Sequence, residues 1–213
     1  MFQIKIFTFS PIQENTYVLY NESKEAIIID PGCYFTAEEE TLKAFLSENQ
    51  LTPVLLLNTH CHLDHVFGNN WVHKQYGLEL HFHPDDEKML LYAPESGKMW
   101  GMEFTNYSGP FHYLSENQVI TLGDDSLAIF HTPGHSPGSV SFYCAKQNFI
   151  ISGDVLFKES VGRTDLPGGS FDVLANSIRT KLFVLPGETK VYSGHGEPTT
   201  IQHEKDKNPF VGL

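Results

Sequence analysis

The chain has 213 residues, long enough for one sizeable core, and 40% of them are hydrophobic, as in a globular protein. Lysine and arginine number 14 against 26 aspartates and glutamates, a formal charge of -12, so most of the surface repels nucleic acid. Cys33, Cys61 and Cys144 show no paired spacing, which excludes a disulfide framework and points to a reducing compartment, the cytoplasm by default; no apolar run nears the roughly 20 residues of a membrane-spanning helix.

The segment from Met1 to Phe9 alternates as a strand and lacks the charged head, apolar run and small-residue cleavage site of a signal peptide, so it is expected to fold as the first strand. β-Branched and aromatic runs at 16–20 and 26–29 extend it into an antiparallel meander ending at Asp30-Pro31-Gly32. Thr36 and Glu39 make a capping-box pair, and Leu42, Phe45 and Leu46 repeat at helical spacing, predicting a helix from 36 to about 49. An apolar strand at 53–57 then opens into Thr59-His60-Cys61-His62-Leu63-Asp64-His65. Phe67, Trp71, Val72 and Tyr76 share a helical stripe over 66–76, stopped by Gly77.

Between 84 and 110, Asp85-Asp86-Glu87 suit a helix start running to Leu91. Pro94, Gly97, Gly101 and the aromatics Trp100, Phe104 and Tyr107 instead suggest an irregular flap, either bordering a substrate cleft or covering a core edge. Strands are predicted at 119–122, 127–132, 139–144, 149–151 and 190–192, with a helix after Ser170 on which Leu174, Ile178 and Leu182 lie four apart. Each half reads as strands followed by a helix, and no linker divides them, so residues 1–213 are expected to form a single domain.

His60, His62, Asp64 and His65 set four metal-grade side chains within six residues at a strand end, and mixed imidazole and carboxylate ligands suit a transition metal. His60 and His62 share one ion most economically, which leaves Asp64 and His65 for a second. Three more polar residues follow short strands in glycine-rich or proline-rich turns: His135 in Thr132-Pro133-Gly134-His135, Asp154 in Ser152-Gly153-Asp154 and His195 in Ser193-Gly194-His195-Gly196. His73, His81, His83, His112, His131 and His203 lack that context and are assigned no metal.

The H-x-H-x-D-H run followed by His135, Asp154 and His195 resembles the metallo-β-lactamase fold, and in detail its glyoxalase II branch, over 30–195. The resemblance implies an αβ/βα four-layer sandwich, two mixed β-sheets face to face with helices outside. It also implies a binuclear metallohydrolase with two divalent ions per chain, zinc first, with iron or manganese as alternatives. By that similarity His60, His62 and His135 hold one ion, Asp64, His65 and His195 the other, and Asp154 bridges them, while Asp64 and a metal-bridging water form the catalytic pair. Asp30 would sit behind the ligands and orient a histidine. Such a water ionises near neutral pH, so no serine or cysteine nucleophile is needed and Cys61 is expected to point away.

Departures from the pattern narrow the branch. β-Lactamases of this fold lack an aspartate at the bridging position, so Asp154 argues against antibiotic hydrolysis. Long glyoxalase II enzymes carry a C-terminal helical extension, whereas this chain looks like a short form. Gly162-Arg163-Thr164-Asp165 falls where the branch binds a substrate carboxylate, making Arg163 the candidate anchor, with a structural pair to Asp165 as the alternative. The expected substrate is a small-molecule thioester of the hydroxyacyl-glutathione type, with neither nucleic acid nor membrane as partner. A mononuclear-iron persulfide dioxygenase of the same fold is the rival, and a non-enzymatic metal-binding protein the third reading.

Overall fold

The computed structural model describes residues 1–212. The first sheet runs in chain order through β1 (Gln3–Phe9), β2 (Glu14–Tyr20), β3 (Glu25–Ile29), β4 (Thr52–Leu57), β5 (Leu80–Phe82) and β6 (Phe111–Tyr113). Its first two pairings are antiparallel and the rest parallel. Parallel neighbours need crossovers. These are α1 (Thr36–Glu48), then α2 (Leu63–Val66) with α3 (Asn69–Tyr76), then α4 (Glu87–Met99).

The second sheet is built from β7 (Val119–Leu122), β8 (Asp125–His131), β9 (Val140–Cys144) and β10 (Phe149–Gly153). A hairpin of β11 (Leu156–Phe157) and β12 (Ser160–Val161) and the helix α5 (Phe171–Ser177), continued by a π-helical turn to Leu182, then lead to β13 (Lys190–Ser193), parallel to β10. The chain closes with β14 (Thr199–Thr200) and α6 (Ile201–Lys207).

Both faces of each sheet are buried, and strand alternation decides which residue goes where. Tyr17, Leu19, Ile27, Ile29 and Leu57 face Leu127, Ile129, Phe142 and Ile151 of the opposite sheet. Their neighbours Val18, Ile28 and Leu56 pack beneath Leu42 and Leu46 of α1, Val72 of α3 and Leu90 of α4. On the far side, Ile150 and Val191 are covered by Leu174, Ile178, Leu182 and Ile201. The four-layer αβ/βα sandwich of mixed sheets is therefore present.

Several local expectations are corrected. The segment after Asp86 is a helix of thirteen residues, running through Pro94 and Gly97 where an irregular flap was expected. Pro94 strips the Leu90 carbonyl of its helical donor, but the Asn106 side chain supplies one at 2.7 Å. Gly97 is tolerated because the returning chain packs there, Met102 donating to the Gly97 carbonyl at 2.7 Å. The helix expected over 66–76 is broken at Phe67–Gly68, where Gly68 donates to the Pro31 carbonyl and a side chain would strike it. The acid closing the start of α1 is Glu38, not Glu39, since its carboxylate accepts the backbone N–H groups of Ser10, Tyr34 and Phe35. Strands β5, β6, β11, β12 and β14, of two or three residues each, were not anticipated because so few residues show no period, and helix α6 was not anticipated either.

At the start of β8, Asp125 joins the two sheets. Its carboxylate receives Lys146 at 3.0 Å, Asn21 at 3.1 Å and the Met1 amino group at 3.1 Å. The hydrogen bond from Lys146, aided by Asn21 and the amino terminus, holds its pKa at about 2 against burial. A depressed carboxyl pKa contributes stability above the unfolded value of about 3.9 and loses it as pH falls through the folded value. Asp125→Asn should therefore cost about 1–2 kcal/mol near neutral pH. In urea titrations that difference should shrink between pH 4 and about 2; a difference constant with pH would remove the ionic account.

Candidate metal centre

All seven predicted ligands come together at one edge of the sandwich, on the segments that follow four of its strands. His60 and His62 follow β4, and Asp64 and His65 lie in the single turn of α2. His135 follows β8, Asp154 follows β10 and His195 follows β13. Backbone hydrogen bonds stitch these loops across the sheets: Val140 donates to Thr59, Gly194 to Gly153 and Asn15 to Gly194, at 2.8, 2.9 and 2.7 Å. Gly153 has φ 53° and sits against the Thr59 hydroxyl, leaving no room for a side chain just before Asp154. Gly194 is likewise pressed on the Asp154 carboxylate and the His65 ring.

Two ligand groups form. In the first, the His135 Nε2 lies 2.7 Å from His62 Nδ1 and 3.1 Å from His60 Nε2. In the second, His195 Nε2 and His65 Nε2 lie 3.2 and 3.8 Å from Asp64 Oδ2. Asp154 stands between them, its Oδ1 3.4 Å from His65 Nε2 and its Oδ2 3.5 Å from His135 and 3.6 Å from His195.

The second nitrogen of most rings is tied, which fixes which atom is free to ligate. The Nδ1 of His135 donates to the Arg163 carbonyl at 2.8 Å and that of His195 to the Gln13 carbonyl at 3.1 Å. The Nδ1 of His65 faces Asp30 at 3.1 Å, and that of His60 faces the Thr59 hydroxyl at 3.1 Å. Asp30 also accepts from Thr59 N and Asn58 Nδ2 at 2.7 and 3.0 Å. It thus lies behind the ligand groups, touching His65 directly and His60 through Thr59.

Charge divides the two groups. Burial, then the neighbouring histidines, pushes His60 well below the ordinary imidazole range and His62 down to about 3, so both are neutral. Burial also pulls His65 and His195 down, but Asp64, Asp154 and, for His65, Asp30 outweigh it and hold both above the usual value. Burial pushes Asp64 and Asp154 upward, and the adjacent histidines, His65 foremost, overcome it and keep both carboxyls depressed.

The donor set fits divalent cations. Nitrogens of His60 and His62 lie 3.1 and 2.7 Å from His135 Nε2, and a triad of imidazoles gathered in this way suits a divalent transition metal. Asp154 Oδ1 and His65 Nε2 are buried without a well-formed hydrogen bond although they face each other.

Other candidates fall differently. The Arg163 guanidinium is exposed and forks onto Asp165 at 2.7 and 2.8 Å, the pairing held as its alternative, while its side chain still lines the cavity over the ligands. Cys61 is fully buried among apolar side chains, and burial pushes its thiol well up, away from reactivity. His83 and His131, assigned no metal, stack 3.9 Å apart beside exposed Asp85, but His131 Nε2 already donates to the Pro137 carbonyl at 2.9 Å.

Two carboxyls were missed. Buried Asp86 accepts from Cys61 N at 2.7 Å, Gly138 N at 2.6 Å and the Ser136 hydroxyl, locking the first histidine loop to the His135 turn. Buried Glu14 lies 3.8 Å from His65 Nδ1, on the same side as Asp30. In sequence, Asp86 was hidden in an acidic run that reads as a helix start. Glu14 stood before a strand with nothing to mark it.

With zinc in excess, metal analysis should find two ions per chain. Asp154→Ala should weaken both, and His195→Ala should spare the first; a single ion in saturated wild-type protein would contradict the pairing of the groups.

The family model described as the metallo-beta-lactamase superfamily matches residues 10–195. The hydroxyacylglutathione hydrolase GloC of Haemophilus influenzae is 35% identical, the match covering 98% of this chain and 97% of that protein. Two solved structures superpose closely. One, described as BLEG-1 B3 metallo-beta-lactamase, is 42% identical with a TM-score of 0.89 and covers 98% of this chain and 99% of its own. The other, TTHA1623 in a di-iron-bound form, is 36% identical with a TM-score of 0.88 and covers 97% and 99%. The chain belongs to the metallo-β-lactamase superfamily and has its fold, and its ligand groups mark it as a metal-dependent hydrolase of that superfamily.

Proposed function

We propose that this superfamily member is a binuclear thioester hydrolase of the glyoxalase II type, acting on acylated thiols such as hydroxyacyl glutathione. The observation that carries the reading is Asp154, one carboxylate set between two complete ligand groups. Divalent ions held there, zinc first, would supply Lewis acidity and acidify a water enough to attack a carbonyl near neutral pH. The name of the 35% identical hydroxyacylglutathione hydrolase supports the thioester substrate.

The chain's own residues have distinct parts. Asp64 lines the cavity with its carboxyl held ionised by His65 and His195 against burial, so it would accept a hydrogen bond from the attacking water and orient it toward the carbonyl carbon. Asp30 and the Arg163 and Gln13 carbonyls orient the histidine rings. Arg163, at the cavity rim, would hold a carboxylate of the thiol carrier when it leaves Asp165. The water oxygen adds to the carbonyl carbon and the carbon–sulfur bond breaks, giving a carboxylate, a thiol and one proton. Nothing is oxidised.

The 42% match to a structure described as a B3 metallo-beta-lactamase favours a second reading, in which the same centre opens a β-lactam ring. One experiment separates the readings. Zinc-, manganese- and iron-loaded protein is given S-lactoyl glutathione, a β-lactam and glutathione persulfide in an oxygen electrode cell. We expect thioester cleavage without oxygen uptake, with Arg163→Ala raising KM several-fold and leaving kcat nearly unchanged, because a remote carboxylate is bound equally in ground and transition states. Faster β-lactam opening would favour the second reading. Oxygen uptake with the persulfide and no thioester cleavage would replace both with the mononuclear-iron dioxygenase.

A further inference from the structure

The ligand groups open into a cavity of about 380 Å³ whose floor includes Asp64, His135, Asp154 and His195. A second cavity of about 140 Å³ adjoins it and shares His62, Leu63, Ser96, Trp100 and Leu166 with it. Its remaining wall is Cys61, Met89, Tyr92, Ala93, Met99 and Pro167. The smaller cavity is thus a side chamber of the reaction centre, closed by one face of α4 and by the turn after Arg163. No charged side chain lines it among the described residues. Met99 and Trp100 at its mouth are 75% and 57% exposed, although large apolar side chains at a helix end gain nothing from water. The Tyr92 hydroxyl lies 3.4 Å from the Met99 sulfur, which holds two of these side chains together at the rim. Methionines adapt their shape to a flexible guest.

The polar end of the centre is differently equipped. Among the described residues lining the two cavities, Arg163 is the one lysine or arginine, and its fork is engaged by Asp165. A substrate with two carboxylates, such as a glutathione thioester, meets one cation at most. A short apolar chain meets a chamber lined mainly by apolar side chains beside the carbonyl-attack site, too small for a whole ligand but sized for one arm of it.

We propose that the side chamber between α4 and Leu166–Pro167 is an acyl-chain subsite, which makes thioesters of short, unbranched apolar acids better substrates than the lactoyl type. This rests on the hydrolase reading and specifies the acyl side of its substrate. The chain lies along Met89, Ala93 and Leu166, the carbonyl stays over the ligand groups, and the thiol carrier leaves toward Arg163.

The test uses zinc-loaded protein with acetyl, butyryl and hexanoyl thioesters of N-acetylcysteamine, a neutral thiol that leaves Arg163 out of the comparison. Burial of each methylene should raise kcat/KM about fourfold until the chamber is full. Ser96→Phe, which places a ring in the chamber, should flatten the series. Met99→Ser and Trp100→Ser, both at exposed positions, should lower the hexanoyl-to-acetyl ratio. A flat wild-type series would overturn the subsite and leave the hydrolase standing. Calorimetric titration of the same protein with acetate and hexanoate separates the two ideas. If no thioester is cleaved yet hexanoate binds more tightly than acetate, and Ser96→Phe removes the difference, the subsite stands and the hydrolase reading falls. Equal binding of the two acids with no cleavage would overturn both.

Discussion

One buried carboxylate, that of Asp30, governs the shape of the metal centre. It ends β3 at φ 50°, a left-handed conformation that costs a side-chain-bearing residue about 1–3 kcal/mol unless its surroundings hold it there. What holds it is a set of donors: Thr59 N, the Thr59 hydroxyl and Asn58 Nδ2 all reach its oxygens, and its own N–H reaches the Leu57 carbonyl at 2.9 Å. Because β3 and β4 are parallel neighbours, the end of one lies beside the exit of the other. The sheet pairing thus brings Asp30 to the loop that carries four ligands, and Thr59 carries the constraint onward. Its hydroxyl touches the His60 ring and packs on Gly153, and its carbonyl receives Val140, so one residue's geometry is felt in both sheets.

Electrostatics completes what the backbone begins. No lysine or arginine reaches the ligand groups among the described residues that line the cavity, apart from Arg163 at its rim. Asp64 and Asp154 therefore look to His65, His195 and incoming cations for compensation, and Asp30 faces His65 from behind, while burial pushes Glu14 well above the ordinary carboxylate range and leaves it uncharged. Burial alone would drive those histidines neutral, as it does His60 and His62, but the surrounding carboxylates reverse the sign for one group only. The centre thus joins a neutral imidazole group to a carboxylate-rich one, with Asp154 belonging to both.

The ligands were legible in the sequence because metal chemistry demands rare residue types at short, fixed spacings, and the strand-end context of His135, Asp154 and His195 repeats. The supporting residues were not. Asp86 and Glu14 act through contacts across 25 and more positions of chain, and nothing local distinguishes them from solvent-facing acids. The α4 segment misled for a related reason. Pro94 and Gly97 are helix breakers by propensity, and the helix survives because Asn106 replaces the donor that Pro94 lacks and Met102 closes the helix end on the Gly97 carbonyl. Leu174, Ile178 and Leu182 succeeded because their spacing is itself the packing instruction, even though the final turn is π-helical.

The central claim is that the two ligand groups work as one binuclear centre through Asp154. Electron paramagnetic resonance of protein loaded with manganese addresses it directly, since two ions sharing a carboxylate couple magnetically and isolated ions do not. At two equivalents per chain the account predicts an exchange-coupled spectrum that Asp154→Ala abolishes. Only the six-line spectrum of uncoupled manganese, unchanged by that substitution, would contradict it.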